Sequence, residues 1–345
     1  MSIELRPVAA HQLPPGHNLL QSALWANLKS EFGWRAHCFR IDLGQDSDSR
    51  QLPLLLLTRS LRGLLRIGYL PYPLASVAGA DAQLLAELVA ALRRRLDPAP
   101  AVLRLDLVQE SRQLPTEALR AAGLRKAPVD VQPASTVIVD LDADDDGLLN
   151  AMKSKTRYNI RLSLRKGVVV SEVGPQRLGA WYELYRETAR RDRIVLHSFD
   201  YYRRLFELAA DDAQVRLRLL FAEHQGDLLA GIVVAMVGDC ATYLYGASST
   251  GKRNLMAGYS IQWRAIQLAR DSGCRSYDLF GIPPVADPDH PMAGLYRFKT
   301  GFGGRIIHRP GCYDLPLQSR RYRLFTAVER LRYLYYKRLR KRSAR

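Results

Sequence analysis

Residues 241–280 read ATYLYGASSTGKRNLMAGYSIQWRAIQLARDSGCRSYDLF. The pattern over Ala241–Tyr245 predicts a β-strand, and the apolar spacing over Tyr259–Asp271 predicts a helix that ends before Gly273. A second strand is predicted over Arg275–Phe280. A strand, a glycine-containing loop, a helix and another strand in succession indicate an α/β unit.

The same mixture of elements extends outward from this stretch. Two strands joined by a turn precede it, at Val215–Glu223 and Leu229–Val237, and one helix is predicted over Leu148–Lys166. Strands and helices also alternate in the first third of the chain. We therefore expect a mixed α/β (α+β) protein of two domains, the usual number for this length. The predicted domains are residues 1–142 plus 312–345, with the C-terminal helix packing back, and residues 143–311.

Charge is the most unusual feature of the composition. The 345 residues contain 51 Lys plus Arg against 34 Asp plus Glu, a formal net charge of +17. From Arg320 onward there are 11 basic residues and one acidic residue, Glu329, so this tail carries 11 − 1 = +10 and the remainder 17 − 10 = +7. Such a field attracts nucleic acid, nucleotide phosphate or anionic lipid, although a solvated helix face has the same composition. The tail is predicted to be an amphipathic helix whose apolar face contains Leu324, Val328, Leu331, Tyr335 and Leu339.

The sequence gives no indication of export or membrane insertion. No apolar run is long enough to span a bilayer, and the N-terminal stretch lacks a secretory pattern. The cysteines lie far apart, without the spacing of a zinc site or a disulfide framework, at positions Cys38, Cys240, Cys274 and Cys312. We expect a cytoplasmic protein with reduced thiols.

The sequence predicts no metal site. Asp142, Asp144, Asp146 and Gly147 match the opening of an EF-hand loop, but Lys153 occupies the position that requires a bidentate carboxylate. We interpret these aspartates as a turn that caps the next helix. No recognisable pair of nucleophile and base appears, so we expect chemistry without a covalent enzyme intermediate.

The loop before the helix at Tyr259 partly matches a phosphate-binding motif. GNAT-type acetyltransferases use (Q/R)xxGx(G/A) at this place, with glycines that let backbone amides approach a pyrophosphate. Here the segment is Arg253-Asn-Leu-Met-Ala-Gly258, and Met256 stands at the first glycine position. The surroundings therefore resemble an acyltransferase, but a bulky side chain argues against coenzyme A. A plain strand-to-helix turn would also explain the segment.

Two further segments are candidates for binding anions. The stretch from Lys153 to Lys166 contains six basic residues and no acidic one, and Lys153, Arg157 and Arg161 share one helical face. Like charges at that spacing repel unless an anion lies against them. The segment Gly294-Leu-Tyr-Arg-Phe-Lys-Thr-Gly-Phe-Gly-Gly304 places Arg297 and Lys299 beside aromatic residues in a glycine-rich setting, where cations can hold phosphate or a developing oxyanion. Core aromatics and a simple turn are the alternative reading.

Several pieces follow one another in a fixed order over nearly the whole chain. They are Gln21-Ser-Ala-Leu-Trp25 with Lys29 and Gly33-Trp34, Leu105-Asp106, Met152–Arg161, Trp181–Asp192, Tyr201-Tyr202, Ala241–Ser248, Gln262-Trp263, Tyr277–Gly281 and Leu295–Gly303. No single piece is specific, but their ordered succession resembles the FemABX family of tRNA-dependent peptidyltransferases. The chain also lacks the inserted helical hairpin that some members carry, and in this it resembles the shorter, FemX-type members.

This resemblance implies two tandem GNAT-like acyltransferase domains without a coiled-coil insertion. It implies that the enzyme moves an amino acid from aminoacyl-tRNA, its co-substrate, without any other cofactor. The acceptor would be the amine of a peptidoglycan precursor, UDP-MurNAc-pentapeptide or lipid II, so that the reaction builds the interpeptide bridge. We expect no DNA partner. Peripheral contact with the inner membrane surface is a further expectation, since lipid-linked acceptors lie there.

The resemblance also implies roles for individual residues. Lys299 and Phe298 would be the catalytic residues near the reacting ester. Lys29 would contact the acceptor's diphosphate, and the family's second phosphate ligand falls on His197, with Arg193 or Arg204 as alternatives. The full predicted substrate-binding set is Lys29, Asp106, His197, Tyr201, Tyr243, Tyr245 and Arg297. The predicted tRNA-binding set is Lys153, Lys155, Arg157, Arg161 and Arg165.

Three other functions remain open from the sequence. The first keeps the tRNA donor but forms the peptide bond on another acceptor, such as a peptide natural product or a protein N-terminus. The second is a coenzyme A-dependent N-acyltransferase, against which Met256 argues. The third is a non-catalytic protein that binds RNA or membrane through its basic tail.

Overall fold

The structure is a computed structural model that describes residues 3–43, 50–61, 63, 65–77 and 79–342, with the side chains of all of these except residues 50 and 332–342. The chain divides into two compact units. Unit 1 contains residues 1–14, 25–132 and 309–345, and unit 2 contains residues 15–24 and 133–308. No helix among the described residues is long and apolar enough to cross a membrane.

Unit 1 is built on a seven-stranded sheet in the order β1-β2-β3-β4-β5-β14-β6. Strands β4 and β5 are parallel and the other pairs are antiparallel. The chain returns from unit 2 to add β14 beside β5, with Cys312 opposite Asp106. Its elements are β1 (Glu4–Val8), α1 (Ala23–Glu31, which begins in unit 2), β2 (Arg35–Leu43), β3 (Arg50–Leu61), β4 (Leu65–Pro71), α2 (Ala82–Arg95), β5 (Val102–Leu107), α3 (Thr116–Ala121), β6 (Arg125–Lys126), β14 (Gly311–Pro316) and α10 (Ser319–Arg342).

Unit 2 contains a second seven-stranded sheet, in the order β13-β7-β12-β11-β10-β9-β8. Strands β11 and β12 are parallel, and the others pair antiparallel. Its elements are β7 (Ser135–Asp140), α4 (Asp145–Ala151), α5 (Ser154–Arg165), β8 (Val169–Val173), α6 (Leu178–Asp192), α7 (Phe199–Ala210), β9 (Val215–His224), β10 (Asp227–Val237), β11 (Cys240–Ser248), α8 (Ala257–Asp271), β12 (Ser276–Asp278), α9 (Ala293–Lys299) and β13 (Arg305–His308).

The central strand β10 shows why helices cover both faces of this sheet. Its residues are nearly all buried, the pattern of a strand that has no face toward water. Ile232 and Val234 belong to the core that includes α8. On the other face, a Cβ added at Gly231 would lie 2.8 Å from the Trp181 side chain of α6, so this strand position requires glycine.

The predicted domain boundary differs from the division that the structure shows. Strand β7 was placed in the first domain, which was expected to run to residue 142. In the structure β7 lies in the second sheet, paired with β12 and β13, and the units divide after Gln132. Alternation of apolar residues identifies a strand, but it carries no information about which sheet the strand joins.

The C-terminal helix α10 is assigned to unit 1 together with β14. The guanidinium of Arg104 on β5 forms ion pairs with Asp314 (2.8 Å) on β14 and with Glu329 (2.6 Å) on α10. This pairing raises the pKa of Arg104, against the effect of burial. Of the predicted apolar face, Leu324, Val328 and Leu331 are exposed. The side chains of Tyr335 and Leu339 lie outside the described residues.

The helix predicted over Leu148–Lys166 is in fact two helices, α4 and α5. The backbone between them is extended at Met152 and Lys153. The carboxylate of Asp144 accepts a hydrogen bond from the Gly147 amide (2.8 Å) and caps α4, which confirms the interpretation of the aspartate turn as a helix cap. Among the described residues, no group of three or more His, Cys, Asp or Glu side chains could hold a metal ion.

Candidate functional site

The parallel strands of unit 2 separate after a short ladder. Strands β11 and β12 pair from Cys240↔Ser276 to Thr242↔Asp278, and β11 then continues to Ser248 alone on that side. We call the place between the diverging strands the opening.

A β-bulge at the mouth of this opening sets the direction of two tyrosines. Opposite β10, Val233 pairs with Tyr245 and Val234 pairs with Tyr243, so Leu244 is the extra residue. Because neighbouring residues of β10 face opposite sides of the sheet, Tyr243 and Tyr245 do so as well. The prediction named both tyrosines in one substrate-binding set, and the structure places them on opposite faces of the sheet.

Lys299 is the last residue of α9, and it lies in the opening. The residue is only 5% exposed, and its Nζ donates hydrogen bonds to the carbonyl oxygens of Phe280 (2.8 Å) and Gly281 (2.9 Å). The same Nζ lies 5.3 Å from the ring centroid of Tyr243. Desolvation lowers the pKa of Lys299 to about 8, and Asp278 opposes this shift. An ammonium has three N–H groups, and these two carbonyl oxygens accept from two of them.

A turn fixed by Asp278 holds the two carbonyls that Lys299 binds. The Asp278 carboxylate accepts hydrogen bonds from the Phe280 amide (2.7 Å) and from the Thr136 hydroxyl. Phe280 adopts φ +56°, which is uncommon for a non-glycine residue. Sequence reasoning missed Thr136 and Asp278. An aspartate at the end of a strand, two residues before a backbone turn, is the signal that could have identified the second.

Phe298 packs over the first turn of α8. Its ring contacts Tyr259 and Phe302, with centroid distances of 5.0 and 5.2 Å, and it lies 3.8 Å from a Cβ built at Gly258. Met256 adopts φ +56°, the backbone conformation that favours glycine at this motif position. The loop thus has a left-handed backbone conformation at Met256 without a glycine there, and aromatic side chains pack on the start of α8. Arg297, which precedes Phe298 in α9, is exposed.

The α6 and α7 face of the sheet carries a cluster of aromatic residues. Trp181, Tyr185, Tyr202 and Tyr245 have ring centroids 4.8 to 6.3 Å apart. Burial raises the pKa of Tyr185 to about 12, so its hydroxyl keeps its proton at neutral pH.

Two predicted substrate residues, His197 and Tyr201, lie beside this aromatic cluster. Tyr201 is buried, and the exposed His197 ring stacks on it at 4.0 Å with an interplanar angle of 18°. The structure therefore brings His197, Tyr201 and Tyr245 together.

Helix α5 exposes some of its predicted cations to solvent, whereas its Arg157 forms hydrogen bonds within the protein. Arg157 is half-buried, and its guanidinium donates hydrogen bonds to the carbonyls of Leu149 and Asn150 (3.4 Å each) and of Met152. It therefore satisfies the C-terminal carbonyls of α4, which explains why α4 ends there. Lys153 donates to the Thr300 hydroxyl at 3.4 Å.

The outer surface of α5 combines charge with an exposed aromatic ring. Lys155, Arg161 and Arg165 are exposed, and within the described part of the chain they form no ion pair or side-chain hydrogen bond. Tyr158, which is 56% exposed, lines an open depression of about 680 Å³ together with Arg161 and Arg165. The sequence reasoning had not used Tyr158, although its spacing of three and seven residues from these arginines places it on their face.

Lys29 is a second lysine with a lowered pKa, in unit 1. It lies in the last turn of α1, where its Nζ is 4.8 Å from the Trp25 ring centroid. Desolvation lowers the pKa of Lys29 to about 8, with a further contribution from the charge of Arg59. Two cations held close together in a partly desolvated place favour an anion between them. The contact between Trp25 and Lys29 could be predicted from the sequence, because residues four apart on a helix are neighbours on its surface.

Asp106 is enclosed within unit 1. It is 1% exposed, and its carboxylate accepts hydrogen bonds from the Tyr69 hydroxyl (2.5 Å), the Cys312 thiol (2.6 Å) and the Gln132 amide (3.4 Å). Burial raises its pKa, and these hydrogen bonds oppose the shift. The carboxylate thus joins β5 to β14.

Known proteins of one family are similar to most of this chain. The FemAB family model matches residues 119–225 and 217–330. A lipid II:glycine glycyltransferase of Staphylococcus aureus strain USA300 is 23% identical, over 91% of this chain and 92% of that protein. The lipid II:glycine glycyltransferase of S. aureus strain MRSA252 gives the same values.

Solved structures share the fold. The crystal structure of FemX superposes with a TM-score of 0.77 at 22% identity, covering 92% of this chain and 96% of that one. A tandem GNAT protein from the clavulanic acid biosynthesis pathway superposes with a TM-score of 0.51 at 15% identity, covering 92% and 99%. These likenesses confirm the predicted mixed α/β fold of two tandem GNAT-like units.

Proposed function

The chain belongs to the FemAB family, and from this premise we propose that it is an aminoacyltransferase that acts on a peptidoglycan precursor. It moves an amino acid from aminoacyl-tRNA to an amine of the precursor's stem peptide and so builds the interpeptide bridge. The observation that carries this proposal is the buried ammonium of Lys299 in the opening between β11 and β12. The lipid II:glycine glycyltransferases that match this chain support the acceptor class.

The chemistry needs positioning and charge stabilisation rather than a covalent intermediate. The neutral acceptor amine attacks the ester carbonyl of the aminoacyl-tRNA and forms a C–N bond. Negative charge develops on the carbonyl oxygen, the C–O bond to the ribose then breaks, and the ribose oxygen takes up the proton that the amine loses. In this proposal the third N–H of Lys299 stabilises the oxyanion, which is the usual role of a fixed donor in acyl transfer.

The fixed surroundings of Lys299 suit that role. Its ammonium is held by the Phe280 and Gly281 carbonyls at 2.8 and 2.9 Å, so it does not have to reorganise when charge develops. Low exposure also strengthens its interaction with an anion. A pKa of about 8 leaves the ammonium form dominant at neutral pH.

Helix α5 is the proposed contact for the tRNA donor. Lys155, Arg161 and Arg165 supply charge for backbone phosphates, and exposed Tyr158 supplies an aromatic face for a ribose or an unpaired base. Arg157 is excluded from this set, because its guanidinium is occupied by the end of α4.

Lys29 and His197 are proposed separately as contacts for the acceptor's diphosphate. Lys29 lies near Arg59 in unit 1 and has a lowered pKa, so an anion would stabilise its charged form. His197 in unit 2 is exposed and oriented by its stacking on Tyr201. Soluble and lipid-linked precursors share the diphosphate, so these contacts serve both acceptors.

The coenzyme A alternative is less well supported. Phe298 packs at Gly258, and Met256 replaces the first motif glycine. In an acetyltransferase of this type the pyrophosphate approaches backbone amides at the helix start. The side chains of Phe298 and Met256 would leave less room for a pyrophosphate at the backbone amides of the helix start.

A transfer assay tests the proposal. Radiolabelled aminoacyl-tRNAs prepared from total tRNA are incubated with the protein and with UDP-MurNAc-pentapeptide or lipid II, and the acceptor is separated by chromatography. We expect label on the acceptor, abolished by RNase pretreatment and reduced about 100-fold or more in Lys299→Met. The matched control is Lys252→Met, which removes a surface lysine paired with Asp227. No label on either acceptor, with acetyl-CoA consumed instead, would overturn the proposal.

A further inference from the structure

The segment between α6 and α7, residues 193–198, presents aliphatic side chains to solvent. Val195 is 94% exposed and Ile194 is 48% exposed, and Phe199 at the start of α7 is 36% exposed. Scattered exposed apolar residues are ordinary on protein surfaces, but neighbouring ones at the tip of a loop form a patch. We call residues 193–198 the α6–α7 loop.

Hydrogen bonds and ring contacts hold this loop in place at both ends. At its start, Arg193 adopts φ +55° and the Ile194 amide donates to the Ala189 carbonyl at 3.0 Å. At its end, the Tyr182 hydroxyl donates to the His197 carbonyl at 3.0 Å, and the His197 ring stacks on Tyr201. The aliphatic side chains are therefore presented by an anchored backbone rather than by a loose one.

Two exposed cations precede the aliphatic tip in the chain. Arg190 and Arg193 are exposed, and neither forms an ion pair or donates a side-chain hydrogen bond within the residues that the structure describes. The neighbouring Arg191 differs, since it pairs with Asp192 at 2.8 Å. Exposed aliphatic side chains next to exposed arginines match an anionic bilayer, in which acyl chains lie beneath phosphate headgroups.

We propose that the α6–α7 loop docks on an anionic lipid bilayer, with Ile194 and Val195 in the headgroup region and Arg190 and Arg193 on the phosphates. RNA fits this patch less well, because its two most exposed apolar side chains, Val195 and Ile194, offer neither a stacking face nor a hydrogen-bond donor. The inference deepens the proposed function. A lipid-linked acceptor has its diphosphate at the membrane surface, and His197, two residues after Val195, is the proposed diphosphate contact.

Vesicle co-sedimentation of the full chain, without any substrate, tests the docking directly. We expect binding to vesicles of phosphatidylglycerol and phosphatidylcholine, and at least about a tenfold lower partition constant for the double variant Ile194→Asp/Val195→Asp. Arg190→Gln and Arg193→Gln should each weaken binding to these vesicles about fivefold, with little change on pure phosphatidylcholine. The control is Val169→Asp, at an equally apolar position on β8 that is 65% exposed, and it should bind as the unchanged protein does.

Two outcomes would overturn the inference. One is equal vesicle binding by the double variant and the unchanged protein, as expected if the basic tail alone binds the membrane. The other is loss of tRNA retention on filters with vesicle binding intact, which would make the loop an RNA surface. Circular dichroism of the double variant, of each arginine variant and of the Val169→Asp control checks that they fold.

The activity arm separates this inference from the proposed function. If transfer occurs, the double variant should lose rate on lipid II in vesicles and keep its rate on UDP-MurNAc-pentapeptide. Equal losses on both acceptors would overturn the membrane role. If no transfer occurs at all, the proposed function fails, while the vesicle result still decides whether the loop binds lipid.

Discussion

Replacing Lys299 with methionine should change how the stability of the protein depends on pH. In the folded chain the pKa of Lys299 is lowered from 10.5 to about 8, because its ammonium is desolvated. This displacement corresponds to about 3 kcal/mol, since one pKa unit is worth about 1.4 kcal/mol. Below pH 8 the lysine is charged in both the folded and the unfolded chain, and the whole penalty is present.

The sign follows from proton binding. Between pH 8 and 10.5 the unfolded chain keeps the proton on Lys299 and the folded chain has lost it, so the free energy of unfolding rises with pH. The unchanged protein should therefore gain about 2 kcal/mol relative to Lys299→Met between pH 8 and 9.5. Below pH 8 the difference between the two proteins should be constant.

Urea unfolding followed by circular dichroism, at intervals from pH 7 to 9.5, measures this difference. Comparing the two proteins at each pH cancels the titration of every other group, including Lys29. Lys252→Met is the control, and its difference from the unchanged protein should stay flat over the same range. A flat difference for Lys299→Met would show that the ammonium is not desolvated, and the argument for its role in catalysis would lose its physical basis.

Three further predictions concern other parts of the protein. Lys29→Met should raise KM for the diphosphate-containing acceptor about tenfold or more, with little change in kcat. In the unchanged protein, acceptor binding should weaken as pH rises through about 8, where the Lys29 ammonium loses its proton. Initial rates measured at several pH values check both predictions. Gly246→Ala should destabilise the protein by about 1–3 kcal/mol in thermal melts, since a Cβ there would lie 1.7 Å from the Tyr243 hydroxyl, and a change under about 0.5 kcal/mol would contradict this packing. Arg161→Ala should lower the salt dependence of tRNA binding by about one in the log–log slope, whereas Arg157→Met should leave that slope unchanged and reduce stability by about 1–3 kcal/mol.

Much of the fold could be predicted from the sequence, because periodicity and glycine placement are local signals. The strand at Ala241–Tyr245 and the helix at Tyr259–Asp271 both appear in the structure, within β11 and α8. The break between α4 and α5 could not be predicted in this way. At this break the guanidinium of Arg157 donates to carbonyls at the end of α4, and in the sequence Arg157 looks like one more surface cation.

The sequence identified candidate residues of the site better than it predicted how they are arranged. The sequence pointed to Lys299, but its partners are backbone carbonyls, which no sequence pattern displays. Tyr243 and Tyr245 share a face in any regular strand, and one extra residue opposite Val233 and Val234 separates them. A bulge is a property of pairing between two strands, and it cannot be read from one of them.

Lys299 and Lys29 share a physical feature that connects stability with function. Each has its pKa lowered to about 8, mainly by desolvation, so each charged side chain opposes folding at neutral pH. At the position of Lys299 an apolar residue would serve stability better, because burying a charged ammonium costs free energy. The cost disappears when an anion arrives, since the opposite charge stabilises the ammonium. For Lys299 the anion would be the oxyanion of the transition state, and for Lys29 the diphosphate of the acceptor. The same electrostatic energy that weakens the empty protein would then strengthen binding at the step where each anion appears.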